Sequence, residues 1–366
     1  MRELRVGYVP DQHRHSLIGA APYCRHVPLG DWNRLLARAG RLLNRCTGRE
    51  LLEVSELAHT FRERRLHPGV DVLHLCNQVS YGRLPWLTSF DVALPRLAGP
   101  GAARGSGSTL EQTAAHPRTA RTLAALATDR CRRLLALSRC AADTQGQLLA
   151  SALPAAAARW HAAIAGKTMV LPPPQPRLLS HMQSKPPLGG RRLRLLFITA
   201  DFRRDGGLEL IEAAAPLVRR QRAPIELTIV GALASTDAAR AHAGPELQQV
   251  RALLSAHRDW IHHHDGLEES ALLQKMREAD VGLLPTCADD YGFAVLQMQA
   301  CGCPVISTDV RALPEINDAQ RGWLIGVPKD ALGQARCATG VERVRLSQAI
   351  REGLTHCLQE VLAQPL

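Results

Sequence analysis

Apolar residues along this chain fall into short runs separated by stretches of helical spacing, and the alternation occurs twice. In the first half the runs Leu4–Val9, Val70–Leu75, Trp86–Phe90 and Leu134–Ser138 predict strands, and another strand at Met169 leads into a proline-rich segment. Helical spacing predicts helices over Leu35–Asn44, Arg49–Arg65, Thr119–Arg133, Arg139–Ala150 and Ala155–Ala165. The second half gives strands at Leu193–Ile198, Ile225–Val230, Trp260–His262, Ala279–Pro285 and Cys303–Ser307. Its helices are Leu208–Arg219, Glu269–Ala279 and Phe293–Ala300. Near-continuous apolar strands set between helices point to buried parallel sheets, so the fold class is α/β. The predicted domains are 1–175 and 192–366, joined by a Pro/Gly-rich hinge at 176–191 and facing each other across a cleft.

One stretch, Pro285 to Glu315, concentrates the candidate chemistry. A strand ends at Pro285, a loop carries Asp289 and Asp290, and Gly292 opens a helix that Gly302 and Pro304 stop. The free N–H groups of a helix start then follow directly on two carboxylates. That order suits a phosphate on the helix end and sugar hydroxyls on a carboxylate.

Charge sharpens the picture for the first half. The chain carries a net +11, but residues 1–190 hold 25 Lys/Arg against 12 Asp/Glu (25 − 12 = +13) and residues 191–366 hold 20 against 22 (20 − 22 = −2). A basic first domain suits an anionic partner, either acidic lipid head groups or a phosphorylated acceptor, and its plainer reading is a solvated basic surface. Nucleic acid is the weakest partner, because aromatics are only 4% of the chain and no DNA-binding motif occurs. The ten cysteines are scattered without metal-knuckle spacing and read as thiols of a reducing compartment. His262-His-His264 has no carboxylate or cysteine cluster beside it, so no metal is expected. The sequence shows no apolar run of membrane-spanning length and no secretory leader. The expected location is the cytoplasm, with peripheral contact on the inner face of the membrane through the basic first domain.

The motifs Asp289-Asp-Tyr-Gly-Phe-Ala-Val-Leu-Gln297, Ala300-Cys-Gly-Cys-Pro-Val-Ile306 and Thr308-Asp-Val-Arg-Ala-Leu-Pro-Glu315 resemble those of GT-B glycosyltransferases of family 4. Supporting strings are Phe197–Gly207, Leu227–Gly231 and Ala279–Asp280, and the likeness is good over 190–325 and thin over 1–190. The resemblance implies two Rossmann-like domains and a retaining, metal-free transfer of a hexose from a nucleotide-diphosphate sugar to a hydroxyl of a saccharide or lipid-linked glycan. It implies no cofactor beyond that donor substrate. Carried over, Asp289 is the carboxylate that touches the donor sugar and is the catalytic candidate, with Asp91 as a polar candidate on the first domain's side. Tyr291, Gly292 and Phe293 line the donor site, the last two through backbone N–H groups. Gln297 would meet the ribose, and Arg203 or Arg204, with Thr199 in the same loop, would face the diphosphate.

Several positions depart from the family pattern. Asp289 replaces a glutamate, Gln297 replaces the second carboxylate, Thr199 replaces a glycine, and Asp205 stands where a lysine precedes Gly-Gly and would repel a diphosphate. His74, followed by Cys76 and Asn77, does not fit the usual catalytic histidine and reads as a core residue. The chain ends at Leu366, so a terminal helix crossing back onto the first domain is expected to be missing. The alternative function is a degenerate relative acting as a binding or scaffold subunit without turnover. Plainer roles also exist for single residues: Asp289 as a helix cap, Asp290 as a solvent-facing acid, and Glu315 as a cap for the next helix.

Overall fold

The structure is a computed structural model that describes residues 3–10, 23–47, 54–63, 69–96, 110–151, 158–175, 178–179, 185, 188–233 and 243–363. The chain divides into two compact units, Met1–Pro174 and Gln175–Leu366. The resemblance also assigns acceptor choice to the first domain's loops, at 12–23 and 99–108 of the sequence, and these lie outside the described residues apart from Tyr23.

The first unit runs β1 (Leu4–Tyr8), β2 (Cys24–Pro28), α1 (Trp32–Thr47), α2 (Val54–His59), β3 (Thr60–Phe61), β4 (Val72–Cys76), β5 (Val79–Ser80), β6 (Trp86–Phe90), α3 (Leu110–Ala115), α4 (Pro117–Ala127), β7 (Cys131–Ala136), α5 (Arg139–Ser151), α6 (Ala158–Ala165) and β8 (Thr168–Val170). Its six-stranded sheet has the order β2-β1-β4-β6-β7-β8 with every pair parallel. Leu73, Leu75, Trp86, Phe90 and Leu134 are the centre of its core.

The second unit runs β9 (Leu193–Thr199), α7 (Gly207–Gln221), β10 (Ile225–Gly231), α8 (Ala243–Ala256), β11 (Ile261–His264), α9 (Glu269–Glu278), β12 (Val281–Leu284), α10 (Phe293–Ala300), β13 (Val305–Thr308), α11 (Leu313–Ile316), β14 (Gly322–Ile325) and α12 (Gly340–Ala363). The sheet order is β11-β10-β9-β12-β13-β14, again all parallel. Counting each sheet's own strands in chain order, this is 3-2-1-4-5-6 and the first sheet is 2-1-3-4-5-6, both doubly wound orders, so both units are Rossmann-like as the sequence predicts.

Two predicted helices are corrected. The helix expected over 49–65 is described only as α2, and Thr60 and Phe61 leave it to pair with Val79 and Ser80. Phe61 is buried there, and tertiary burial overrides local helical spacing. The helix expected over 119–133 stops at Ala127 with Thr128 as an extended cap, because Cys131 and Leu134 are needed as fully buried strand residues. The described part of the expected hinge is fastened to the second unit. Lys185 Nζ donates to the Arg277 and Ala279 carbonyls at the end of α9, and Arg191 makes a two-pronged bond of 2.5 and 2.9 Å to the fully buried Asp280. The terminal helix α12 packs on α7 and β14 of its own unit, with Ser347 Oγ 2.7 Å from Glu209 Oε1.

Candidate active site

In the second sheet the strand order reverses between β9 and β12. Open parallel sheets form their binding crevice outside the carboxyl ends of the strands at such a point. Two loops meet there: 200–206 after β9 and 285–292 after β12. Cys287 donates its N–H to the Arg204 carbonyl at 3.0 Å. Thr286 Oγ1 lies 3.3 Å from Asp205 Oδ1, and Thr308 Oγ1 of β13 donates to the Thr286 carbonyl at 2.7 Å. Gly206 is required at the crossing: its φ is +83°, and a Cβ there would stand 2.2 Å from the Pro285 carbonyl oxygen.

Asp205 does not face outward as a repelling charge. It is buried, and its Oδ2 accepts from Thr199 Oγ1 at 2.8 Å and from the Ala200 and Asp201 N–H groups at 3.1 and 3.2 Å. Its Oδ1 accepts from Arg204 Nε at 3.1 Å. A carboxylate with this many donors is a loop staple. Thr199, predicted to touch the donor, is itself buried and gives its hydroxyl to that staple. Arg203 and Arg204 part ways: Arg203 Nη2 reaches Gln249 Oε1 of α8 at 3.4 Å, and Arg204 is held by Asp205. Burial opposes the Arg204 charge, but Asp205, Asp201 and Asp289 outweigh it and raise its pKa. Arg204 is therefore the cation of this loop that senses Asp289.

On the facing loop, Asp289 Oδ1 accepts the Tyr291 N–H at 2.9 Å, and Gly292 adds a second backbone bond. Part of Asp289's surface is open, yet desolvation of its carboxyl, with the charges of Asp290 and Asp205, pushes its pKa up to about 6. Tyr291 is buried with its ring 4.9 Å from that of Phe293, and burial together with Glu315 pushes its hydroxyl up to about 12. Gly292 caps α10 at φ +92°, where a Cβ would come within 2.5 Å of Leu313 and 2.6 Å of Ile316. Phe293 opens the helix, and the half-buried Gln297 follows one turn later on the same face. Asp290 is half-buried, with Arg311 Nε 3.9 Å from its Oδ1.

Asp91 belongs to the first unit, apart from the rest of the predicted set. Its Oδ2 accepts from Asn77 Nδ2 at 3.0 Å and its Oδ1 from Arg96 Nη1 at 2.9 Å. His74 is a core histidine: buried, 2.7 Å from Ser89 Oγ, and pushed down to about 4 by burial. Two residues of the second unit escaped the sequence reading, Thr286 and Arg311. Thr286 lies in the loop after the strand that ends at Pro285 and Arg311 inside the motif Thr308–Glu315, and only the strand order shows that they reach the same crevice.

Residues 192–339 match the family described as glycosyl transferases group 1. Over these residues, which lie almost wholly within the second unit, the chain is similar to group 1 glycosyltransferases. A D-inositol 3-phosphate glycosyltransferase of Arthrobacter sp. (strain FB24) is 34% identical over 169 residues, which is 45% of this chain and 37% of that protein. A protein of the same name from Paenarthrobacter aurescens (strain TC1) is 29% identical over 122 residues, 32% of this chain and 28% of its own. The match thus spans well under half the length of these relatives. Among solved structures, Anabaena HepE in complex with UDP and glucose aligns over 98% of this chain and 99% of its own at 11% identity and TM-score 0.48. An E. coli trehalose-6-phosphate structure with bound UDP-2-fluoro glucose aligns over 91% of this chain and 77% of its own at 12% identity and TM-score 0.49. Within the matched residues, Asp289, Tyr291, Gly292, Phe293 and Gln297 are all carried by one loop and the helix it starts.

Proposed function

We propose that this chain is a retaining glycosyltransferase of family 4 that moves a hexose from a nucleotide-diphosphate sugar to a hydroxyl acceptor, a saccharide or a lipid-linked glycan. The observation that carries this reading is the crevice between the loops after β9 and β12, where the starts of α7 and α10, Arg204 and Asp289 come together within the residues that match group 1 glycosyltransferases. Ionised Asp289 accepts the donor sugar's hydroxyls, and the N–H groups at the helix starts take the diphosphate. Gln297 offers its amide oxygen to the ribose. In the transfer step the bond between the anomeric carbon and the phosphate oxygen breaks, and its electron pair leaves with the nucleotide. The acceptor oxygen bonds to the same face of that carbon, and its proton passes to the leaving phosphate. This route uses neither a metal nor a protein base. The cations and helix N–H groups act where negative charge develops.

Gln297, an amide in place of a carboxylate, favours the alternative of a scaffold subunit without turnover. Asp205 argues the other way, because its inward bonds leave the crevice free of that charge. Incubation with UDP-, GDP- and ADP-hexoses and a panel of sugar, lipid-linked and phosphorylated polyol acceptors tests the reading, with the product's anomeric configuration read by NMR. A glycoside of retained configuration supports it; nucleotide binding without any transfer supports the scaffold.

The same reading puts the protein in the cytoplasm, against the inner face of the membrane. Among the described residues no helix is long and apolar enough to cross a membrane. The first unit has a helix suited to lying on one. On α1 the small and polar Asn33, Ala37 and Asn44 are buried, while Trp32, Leu35, Leu36, Leu42 and Leu43 are between 38% and 64% exposed. Arg34 and Arg38, one turn apart on the same helix, are half-buried and exposed respectively beside that apolar stripe. An outward apolar face bordered by arginines fits the boundary of an anionic lipid surface.

A further inference from the structure

The phosphate-loop arginines are already engaged, Arg203 by Gln249 and Arg204 by Asp205. A third cation stands at the same crevice. Arg311, between β13 and α11, has a left-handed backbone (φ +47°), a conformation that costs a non-glycine residue and persists only where the surroundings hold it. Its N–H donates to the Gly333 carbonyl at 2.8 Å, which pins the turn. Helix α11 begins two residues later and sets Leu313 and Ile316 against Gly292, so the turn is drawn to the start of α10.

The side chain is 10% exposed, and its Nε and Nη2 are shut off from solvent without a hydrogen-bond acceptor among the described residues. Asp290 Oδ1 lies 3.9 Å from Nε, beyond hydrogen-bonding distance. A buried guanidinium with idle donors is costly, and such groups call for an acceptor that arrives from elsewhere. A planar fork of donors matches phosphate oxygens.

We propose that Arg311 binds the diphosphate of the donor at the start of α10, adding a guanidinium to those of the loop after β9, which Gln249 and Asp205 already engage. This inference rests on the donor-site reading above. The test is calorimetric titration of UDP, GDP and ADP, the matching nucleosides and pyrophosphate into the full chain and its Arg311→Gly and Arg311→Lys variants, with thermal unfolding of each. Glycine suits a positive φ and removes the buried charge, so Arg311→Gly is expected to unfold at the same or a higher temperature. Its affinity for the bound nucleoside diphosphate and for pyrophosphate falls about tenfold or more, nucleoside affinity stays within about twofold, and Arg311→Lys lies between. An unchanged diphosphate affinity, or equal loss for nucleoside and diphosphate, overturns the inference and leaves the glycosyltransferase reading standing. Binding of pyrophosphate but of no nucleotide, lost in Arg311→Gly, keeps the anion site and sinks the donor reading. Failure of the unsubstituted chain to bind any of these ligands contradicts both.

Discussion

At Asp289 two demands on one carboxyl compete. Enclosure and the nearby Asp290 and Asp205 favour the protonated form and raise the pKa to about 6, while acceptance of sugar hydroxyls needs the ionised form. Activity is therefore expected to rise with pH through a midpoint near 6, as the log of kcat/KM against pH will show, and Asp289→Asn removes that limb. The sign for stability is the reverse. Because the folded pKa lies above the unfolded one, the folded state binds more protons between about pH 4 and 6, and Asp289's contribution falls as pH rises through that window. Asp289→Asn should then raise Tm by roughly 2–6 °C at pH 7.5 and by little at pH 4.5. The placement of Asp289 just before a helix start was legible in the sequence because loop acid, glycine and helix follow one another without a gap. The inward turn of Asp205 was not, since its partners Thr199 and Thr286 come from two strands that only the sheet order makes neighbours. Arg311 was hidden for the same reason, and because nothing local marks an arginine as left-handed.

At the scale of elements, α10 depends on its cap. Gly292 combines a positive φ with contact to α11, so Gly292→Ala must strain the backbone and push Leu313 or Ile316 aside. The expected cost is about 1–3 kcal/mol, seen as a lower Tm, with a matching loss of nucleotide affinity as the N–H groups move. Unchanged affinity in a destabilised variant would separate the helix start from the ligand. Strand and helix cores in the second unit were predictable from their apolar runs. α12 was also written in the sequence, through the Thr339/Glu342 capping box and the buried series Leu346, Ile350, Leu354, Leu358 and Val361. That signal lies beyond the motif-bearing stretch, and the reading passed over it. α1 shows the limit of periodicity: its spacing identifies a helix but not that the large apolar side chains face outward. Leu42→Gln with Leu43→Gln is expected to cut co-sedimentation with phosphatidylserine vesicles by at least about fivefold, with no fall in Tm and little change on neutral vesicles. Equal sedimentation of both forms would remove α1 as the membrane contact.

For the whole molecule, the two α/β halves and the parallel sheets were legible because burial on both faces makes central strands such as β9, β12 and β13 near-continuous apolar runs, whereas the edge strand β2, CRHVP and part-exposed, carried no such signal. Charge asymmetry belongs to this scale too, since the first unit carries the excess of arginines and the second carries every candidate site residue except Asp91. What the residues could not convey was which loops become neighbours; that follows from strand order, and it is what joins Asp205, Asp289 and Arg311 into one site. The central claim is that the crevice holds a nucleotide-sugar through Asp289. The most direct measurement is the rate of sugar release from UDP-, GDP- and ADP-hexoses by the unsubstituted chain, Asp289→Ala and Asp290→Ala. The account predicts turnover of at least one donor, a loss of about a hundredfold or more in Asp289→Ala, and a loss below about tenfold in Asp290→Ala. No turnover of any donor, or equal losses at the two aspartates, would contradict it.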